Sequence, residues 1–566
     1  MSDTASSTGL VRELVDRHQA TLDKAIEANF ERGYWSPYPE VPKAYGEDAA
    51  AVGGAAFEGY LGERFPLEQA GTADWAGEEI SPYRGALGIT YPVPDPDQLL
   101  GAMSAALPAW RDAGVEVRGA VLLEILARLN ARSTEIAEAV AHTTGQGPAM
   151  AFQAGGPHAQ DRALEAVAWA VAEMRRVPAE ALWVKPQGKR PALSLSKRFT
   201  IAPRGIALVI GCNTFPTWNG YPGLFASLVC GNPVLVKPSS RAILPLAITV
   251  SVAREVLAES GFSPDLVALA VGRPGERIAA DLALRPEVRL IDYTGSSEFG
   301  EWLEREARQA VTFTEKAGVN IVIVDSSDEY EAMLANLAFT LSLYSGQMCT
   351  TTQNLLVPRD GIETDQGHKS FAEFGADLAA AIDGLLGDDA RATAILGAIS
   401  SPSIAERLDA AAGLGEVVLA SRKIDHPEFP QADVRTPTLI AVDGPEDPAA
   451  HEEQFGPIAL LVPTDSTAAS IDAFRRSVHE HGAITAGVYS TDEEVLVATE
   501  AAALDAGVAL SCNLTQGVFV NQSAAYSDFH GTALNPAGNA SLADAAFVAP
   551  RFGVVQSRRH ADPEAG

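Results

Sequence analysis

Short apolar stretches alternating with helical ones constrain this chain most. Ala207-Leu208-Val209-Ile210, Pro233-Val234-Leu235-Val236 and Val288-Arg289-Leu290-Ile291 are strand-sized, and helical patterns near residues 220–230 and 245–260 separate them. Strands apolar on both faces and joined through helices predict a parallel, doubly wound α/β sheet. Such sheets commonly hold a dinucleotide at the carboxyl ends of their strands. A second alternation follows: Ile321-Val322-Ile323-Val324, a helix over 328–345, a strand over 353–357, and strands near 417–420, 458–462 and 484–489. It predicts a second α/β domain, as 566 residues exceed what one core usually supports.

The front of the chain reads differently. Leu10, Leu14, Leu22, Ile26 and Phe30 recur at helical spacing over residues 9–32, and a Pro- and Gly-rich stretch to about residue 98 reads as irregular packing. Helices are expected over 97–111, 117–144 and 160–176. The formal net charge of −31 would repel a phosphate backbone, which argues against nucleic acid and anionic membrane surfaces as partners. No secretory leader is apparent at Met1-Ser2-Asp3-Thr4 and the apolar runs are far short of a span, so a cytoplasmic location is expected.

Four cysteines, Cys212, Cys230, Cys349 and Cys512, form neither a disulfide framework nor a zinc spacing. Cys349 stands apart, in Ser345-Gly346-Gln347-Met348-Cys349-Thr350-Thr351-Thr352, with Glu315 34 positions upstream in Thr314-Glu315-Lys316-Ala317-Gly318. A thiol among small polar residues, with a carboxylate able to meet it in the fold, suggests covalent catalysis followed by water attack. No metal site is expected: His479 and His481 lie on different faces of a helix, and His530 reads as a loop residue near the substrate mouth.

Gly346-Gln347-Met348-Cys349 resembles the nucleophile motif of the aldehyde dehydrogenase superfamily, and Thr314-Glu315-Lys316-Ala317-Gly318 its general-base motif, at the family's separation. Further resembling pieces occur in family order: Asn213-Thr214-Phe215-Pro216, Lys237-Pro238-Ser239, Tyr293-Thr294-Gly295-Ser296-Ser297-Glu298-Phe299-Gly300, and Glu453-Gln454-Phe455-Gly456-Pro457. The resemblance covers residues 100–550 and implies a fold of two doubly wound α/β domains plus a small β oligomerisation arm. The implied reaction is oxidation of an aldehyde through a thioester on Cys349, hydrolysed by water that Glu315 activates. Asn213 and the Cys349 backbone N–H would hold the oxyanion, each such donor worth roughly 3 to 4 kcal/mol. Asn219 is the competitor for that place, with a turn as its other reading.

The same resemblance implies a dinucleotide site. Gly295 and Ser296 would meet the pyrophosphate at a helix N-terminus, Lys237 the adenosine ribose, Glu453 the nicotinamide ribose and Phe455 the nicotinamide. Ser240 and Arg241 stand where a glutamate would repel a 2′-phosphate, so NADP is preferred over NAD.

Within the family, the long front and Asn213-Thr214-Phe215-Pro216-Thr217-Trp218-Asn219-Gly220 resemble PaaN-type phenylacetic acid degradation proteins. That branch implies an acyl-CoA semialdehyde substrate and, with no hydratase domain after residue 560, a separate enoyl-CoA hydratase. The alternatives are a CoA-acylating or hydrolytic thioester enzyme and a non-catalytic scaffold. The expected organisation is an N-terminal extension over 1–90, a cofactor-binding domain over 91–179 and 203–313, a catalytic domain over 314–525, and an oligomerisation arm with C-terminal segment over 180–202 and 526–566. Leu193, Leu195, Phe199 and Ile201 predict a projecting hairpin that Phe552-Gly553-Val554-Val555 could extend, and an apolar edge of that kind implies a homodimer or homotetramer.

Overall fold

The computed structural model describes residues 2–273 and 275–561, with side chains from residue 9 onward. Two open sheets organise it. The first holds five parallel strands, β1 (Ile206–Ile210), β2 (Val234–Lys237), β3 (Val267–Leu269), β4 (Val288–Thr294) and β5 (Val311–Glu315), in the order β5-β4-β1-β2-β3. Its strands alternate between two cores. Ala207 and Val209 pack with the helices Val115–Ala131, Pro157–Arg175 and Pro216–Val229, while Ile206, Leu208 and Ile210 face the helix Pro96–Asp112 on the other side. Burial on both faces is why β1 carries no polar residue.

The second sheet has seven strands: β6 (Ile321–Val324), β7 (Asn354–Pro358), β8 (Glu416–Leu419), β9 (Thr438–Ala441), β10 (Ile458–Thr464), β11 (Thr485–Tyr489) and β12 (Ala509–Cys512). They lie in the order β8-β9-β10-β7-β6-β11-β12, all parallel except β8. Val322 and Val324 pack under the helices Tyr330–Ser342 and Phe371–Leu386, and Ile321 and Ile323 under Thr467–His481 and Glu493–Ala506.

The expected helices form with one difference. The stretch predicted as one helix over 117–144 is two, Val115–Ala131 and Ser133–Thr144, broken at Arg132, whose φ of −105° and ψ of 18° leave the helical region. The first helix runs Ser2–Glu31 and buries Leu14 and Leu22 against the first core, but Phe30 stays 66% exposed, edge-on to Trp169. The stretch to residue 98 is more ordered than its composition suggests, containing a helix, Ala49–Glu58, and an antiparallel pair, Thr72–Ala76 with Tyr91–Pro94.

A hairpin, Glu180–Gln187 with Arg190–Pro203, leaves the first sheet, and Phe552–His560 adds to it antiparallel, pairing Phe552 with Pro203 and His560 with Leu195. Behind this last strand, Arg551 is fully buried and makes a bidentate ion pair to Asp292 on β4, at 2.6 and 2.8 Å. No helix among the described residues is long and apolar enough to cross a membrane.

Candidate active site

Strand register builds half of the site. Thr294 on β4 lies beside Glu315 on β5, Ile210 on β1 beside Lys237 on β2, so the motif residues emerge together at the carboxyl ends of the first sheet. Gly295 is held to the base strand through its N–H, which donates to the Glu315 carbonyl at 3.1 Å. A β-carbon on Gly295 would sit 2.4 Å from the Tyr293 hydroxyl, so the turn accepts no side chain. Ser296 caps the helix Ser297–Glu306 without a side-chain hydrogen bond, which leaves the first N–H groups of that helix open to an anion.

The thiol arrives from the second sheet. After the helix Tyr330–Ser342 the chain takes three consecutive left-handed residues, Tyr344, Ser345 and Gly346, with φ of 52°, 50° and 64°. Two of them are not glycine, and surrounding bonds hold them there: the Tyr344 hydroxyl donates to the Thr144 carbonyl at 2.5 Å and Ser345 Oγ to the carbonyls of Gly397 and Arg435 at 2.9 and 3.0 Å. Gly346 has no alternative, because a β-carbon there would lie 2.3 Å from the Gly456 carbonyl oxygen. Asn320 then donates to the Cys349 carbonyl at 2.7 Å, and Thr350 Oγ1 to the Asn521 carbonyl at 2.7 Å. The cysteine loop is braced on both sides.

Glu315 and Cys349 meet, and a third group lies between them. His530 Nε2 is 3.1 Å from Glu315 Oε2 and 4.0 Å from Cys349 Sγ. Asn219 Nδ2 stands 3.4 Å from both Glu315 oxygens, and its Oδ1 accepts from the Cys212 thiol at 3.5 Å. Burial works to raise the Glu315 carboxyl, yet the His530 charge and hydrogen bonds from His530, Cys349 and Asn219 outweigh it and leave the group below its ordinary range. Burial, and after it the Glu315 charge, push the Cys349 thiol well up. Donor atoms of Glu315, Cys349 and His530 lie within 4.8 Å of one another, a spacing that could also hold a soft divalent cation, a possibility the cysteine and histidine spacings in the sequence did not suggest.

The two asparagines considered for the oxyanion lie in different settings. Asn219 lies on the helix Pro216–Val229, not in a turn, and faces the site. Asn213 is half-buried with an unpartnered Oδ1 and is not on the cavity wall. His530, expected as a loop residue, is 4% exposed, tied by paired backbone hydrogen bonds to Leu542, and packed edge-on to Trp218 at 4.6 Å. The available signal for it was its expected place near the substrate mouth. His479 is exposed and pairs with Asp505, as a solvated helix face implies.

Beside the thiol opens a cavity of about 530 Å³. Trp35, Phe215, Trp218, Phe339 and Phe519 give it an aromatic wall that Met348 completes, and among the described residues neither Lys nor Arg lines it. Tyr34, Trp35, Ser36 and Glu40 come from the front of the chain, which sequence reasoning left without a role.

The remaining predicted residues do not line this cavity. Lys237 is half-buried, makes no ion pair among the described residues, and is lowered by burial. Glu453 is raised to about 7 by burial, opposed by Arg407 and by the Gly318 N–H. Phe455 is half-buried, its carbonyl accepting from Arg407 at 2.8 Å. Ser240 and Arg241 are exposed, with Arg241 Nη1 3.4 Å from the Ser400 carbonyl.

A cysteine and a glutamate converge beside the carboxyl ends of a doubly wound sheet, and residues 76–523 match the model of the aldehyde dehydrogenase family, to which this chain belongs. It is an NAD(P)-dependent aldehyde dehydrogenase: it superposes on an NAD-dependent aldehyde dehydrogenase of Burkholderia multivorans with a TM-score of 0.96 and 55% identity, over 97% of this chain and 99% of that one. It is 25% identical to N-succinylglutamate 5-semialdehyde dehydrogenase of Paraburkholderia xenovorans over 75% of this chain and 80% of the relative. A 1-pyrroline-5-carboxylate dehydrogenase from Thermus, solved with bound NAD, shares the fold at a TM-score of 0.71 and 19% identity, covering 94% of this chain and 99% of that one.

Proposed function

We propose that the enzyme oxidises a free, uncharged aldehyde with a ring-sized apolar body to the carboxylate. The observation that carries this is the aromatic cavity of about 530 Å³ opening on Cys349 with no Lys or Arg on its wall. A carboxylate-bearing semialdehyde, such as the relative's name describes, would bury its charges there unpaired. A CoA-linked semialdehyde of phenylacetate breakdown, the substrate implied by the PaaN-type resemblance, would have to place its nucleotide and phosphates outside this cavity, and a hydratase partner goes with that substrate.

In this reading Cys349 attacks the carbonyl carbon, and its own N–H with the Asn219 carboxamide receives the oxyanion; Asn219 takes the part expected of Asn213 because it faces the cavity. Glu315 takes a proton from the water that cleaves the thioester, and Asn219 keeps its carboxylate aimed at that water. The open helix end at Ser296, the side-chain-free turn at Gly295, Lys237 without an ion pair among the described residues and the half-buried Glu453 fit a dinucleotide, with Phe455 beside its nicotinamide. Bound there, the nicotinamide supplies the acceptor for the aldehyde hydrogen. Exposed Ser240 and Arg241 place no carboxylate against a 2′-phosphate, which supports NADP as a substrate alongside NAD.

The arm carries exposed apolar residues, among them Leu182, Trp183, Val184, Leu193, Val554 and Val555, and we assign it to contact with a second copy of the chain. The test of substrate class is a panel of initial rates with phenylacetaldehyde, acetaldehyde and a CoA-linked semialdehyde, each with NAD and NADP. Highest kcat/KM for phenylacetaldehyde is expected; highest kcat/KM for the CoA-linked compound would overturn the reading.

A further inference from the structure

The front of the chain is fixed to the helix Pro157–Arg175 where both border the cavity. Asn29 donates to the Glu165 carbonyl at 3.1 Å and Arg32 pairs with the Glu165 carboxylate at 3.2 Å, which holds the segment that follows. Two side chains of that segment then meet two of the helix on the cavity wall. Ser36 Oγ donates to Asp161 Oδ2 at 2.8 Å and accepts from the Tyr38 N–H at 3.1 Å, while Glu40 Oε1 lies 3.4 Å from His158 Nε2.

The carboxylates on this wall are not alike. Glu40 is engaged by His158, and Asp528 is exposed, with the Ala524 N–H on its Oδ2. Asp161 is 5% exposed, and its Oδ1 has no hydrogen-bond partner, a costly state for a buried polar atom unless a ligand completes it. Among the described residues one other wall residue has a buried oxygen without a partner, Asn521 at Oδ1. Asn521 belongs to the reacting end, because its carbonyl accepts from Thr350 next to the thiol. Asp161 belongs to the other end. Trp218 stands between: on one side His530, 4.0 Å from the thiol, meets its ring at 4.6 Å, and on the other Arg162, the neighbour of Asp161, lies 5.4 Å from it.

We propose that Ser36 and Asp161 form a specificity site for a hydroxyl on the ring of the substrate, at the end remote from the carbonyl, so that the preferred aldehyde is a hydroxylated aromatic one. This rests on the reading of the cavity as a pocket for a free, ring-sized aldehyde and names the group that such a ring carries. Burial holds the Asp161 carboxyl well above its ordinary range, against the Ser36 hydrogen bond and the Arg162 charge, so near neutral pH it is an uncharged acid. An uncharged acid both donates and accepts, and so does a hydroxyl, so the two match whichever oxygen carries the proton. A methyl group in the same place would leave Oδ1 unsatisfied, and a substrate ammonium would meet no full charge there.

The test is a set of initial rates with para-hydroxyphenylacetaldehyde, para-methylphenylacetaldehyde, phenylacetaldehyde, acetaldehyde, a CoA-linked semialdehyde and γ-aminobutyraldehyde. They are measured on the full chain, Ser36→Ala and Asp161→Leu, with thermal unfolding as the check on folding. The full chain is expected to favour the hydroxylated aldehyde over its methyl counterpart about tenfold or more in kcat/KM. That ratio should fall severalfold in Ser36→Ala and reach about one in Asp161→Leu. The comparison of hydroxyl with methyl needs no variant, so it decides the matter even where Asp161→Leu fails to fold. A ratio near one in the full chain overturns the proposal, as does an undiminished ratio in folded Asp161→Leu. Either result leaves the reading of the cavity standing so long as phenylacetaldehyde outruns acetaldehyde and the CoA-linked compound. Highest kcat/KM for the CoA-linked compound overturns that reading first, and highest kcat/KM for γ-aminobutyraldehyde overturns both by showing that the wall selects a cation.

Discussion

The two sides of this active site are assembled by different means. The side we assign to the cofactor comes mainly from neighbouring strand ends within residues 206–315, where register and the turn after β4 set Lys237, Gly295 and Glu315 near one another, with Glu453 and Phe455 added from the loop before β10. The substrate side is gathered from stretches far apart in the chain, residues 34–40, 149–161, 215–219, 339–350 and 517–530, placed only by tertiary packing. Reaction type therefore follows from local patterns, and substrate choice from long-range ones. Substitutions on the first side should change whether the reaction runs; those on the second should change what it runs on.

The largest effect should come at the chemical groups. Glu315→Gln should leave acylation of Cys349 intact and stop its release, lowering turnover about 10²- to 10⁴-fold while mass spectrometry finds the acyl group on the Cys349 peptide. A variant that neither turns over nor accumulates thioester would show Glu315 acting before acylation, and would merge the two stages this site separates.

Next comes the scaffold. Arg551 anchors the C-terminal strand to Asp292 in full burial, and Arg551→Met would leave that carboxylate buried without its partner, at a cost of about 3–5 kcal/mol. A marked drop in the unfolding temperature is expected, with the preference among aldehydes in surviving activity unchanged. A changed preference would mean that the strand ends and the substrate wall are not independent.

The wall itself gives a smaller, selective effect. Trp35 packs edge-on to Tyr526 at 5.0 Å, joining the front of the chain to the segment that carries His530. Trp35→Ala should raise KM for phenylacetaldehyde about tenfold, in line with losing one aromatic contact, and leave kcat for acetaldehyde within about twofold. Equal losses on both aldehydes would make Trp35 a structural support rather than a wall.

This division also explains what could be read from the sequence. The strands Ile206–Ile210 and Ile321–Val324 were legible because each is apolar on both faces and must lie inside a helix-covered sheet. Glu315 and Cys349 were legible through residue type and spacing. The meeting of Asn219 with Glu315 was not, since it requires knowing that the helix begins at Pro216 and turns position 219 toward the site. His530 and Trp35 lay further out of reach: 181 positions separate His530 from Cys349, and no pattern near either one implies the meeting. Phe30 shows the converse, a residue at the correct helical spacing whose face meets mostly solvent.

The smallest expected effect is a pH dependence on the cofactor side. Burial raises Glu453 to about 7, so near neutral pH the group is divided between its two forms. Only the ionised form accepts from both hydroxyls of a ribose. Its folded value lies above its ordinary one, so the native chain without cofactor holds this proton more tightly than the unfolded chain; the associated stability is present in acid and is lost as pH rises through about 7. A ribose donating to the carboxylate reverses that trend. Dinucleotide affinity should therefore tighten about three- to tenfold between pH 6 and 8, and the cofactor-induced rise in unfolding temperature should be larger at pH 8. Glu453→Gln should flatten both profiles while leaving the wall's preference among aldehydes as it was. A pH dependence of affinity that survives in Glu453→Gln would place the titrating group elsewhere on the strand-end side, with Lys237, lowered by its own burial, the first to test.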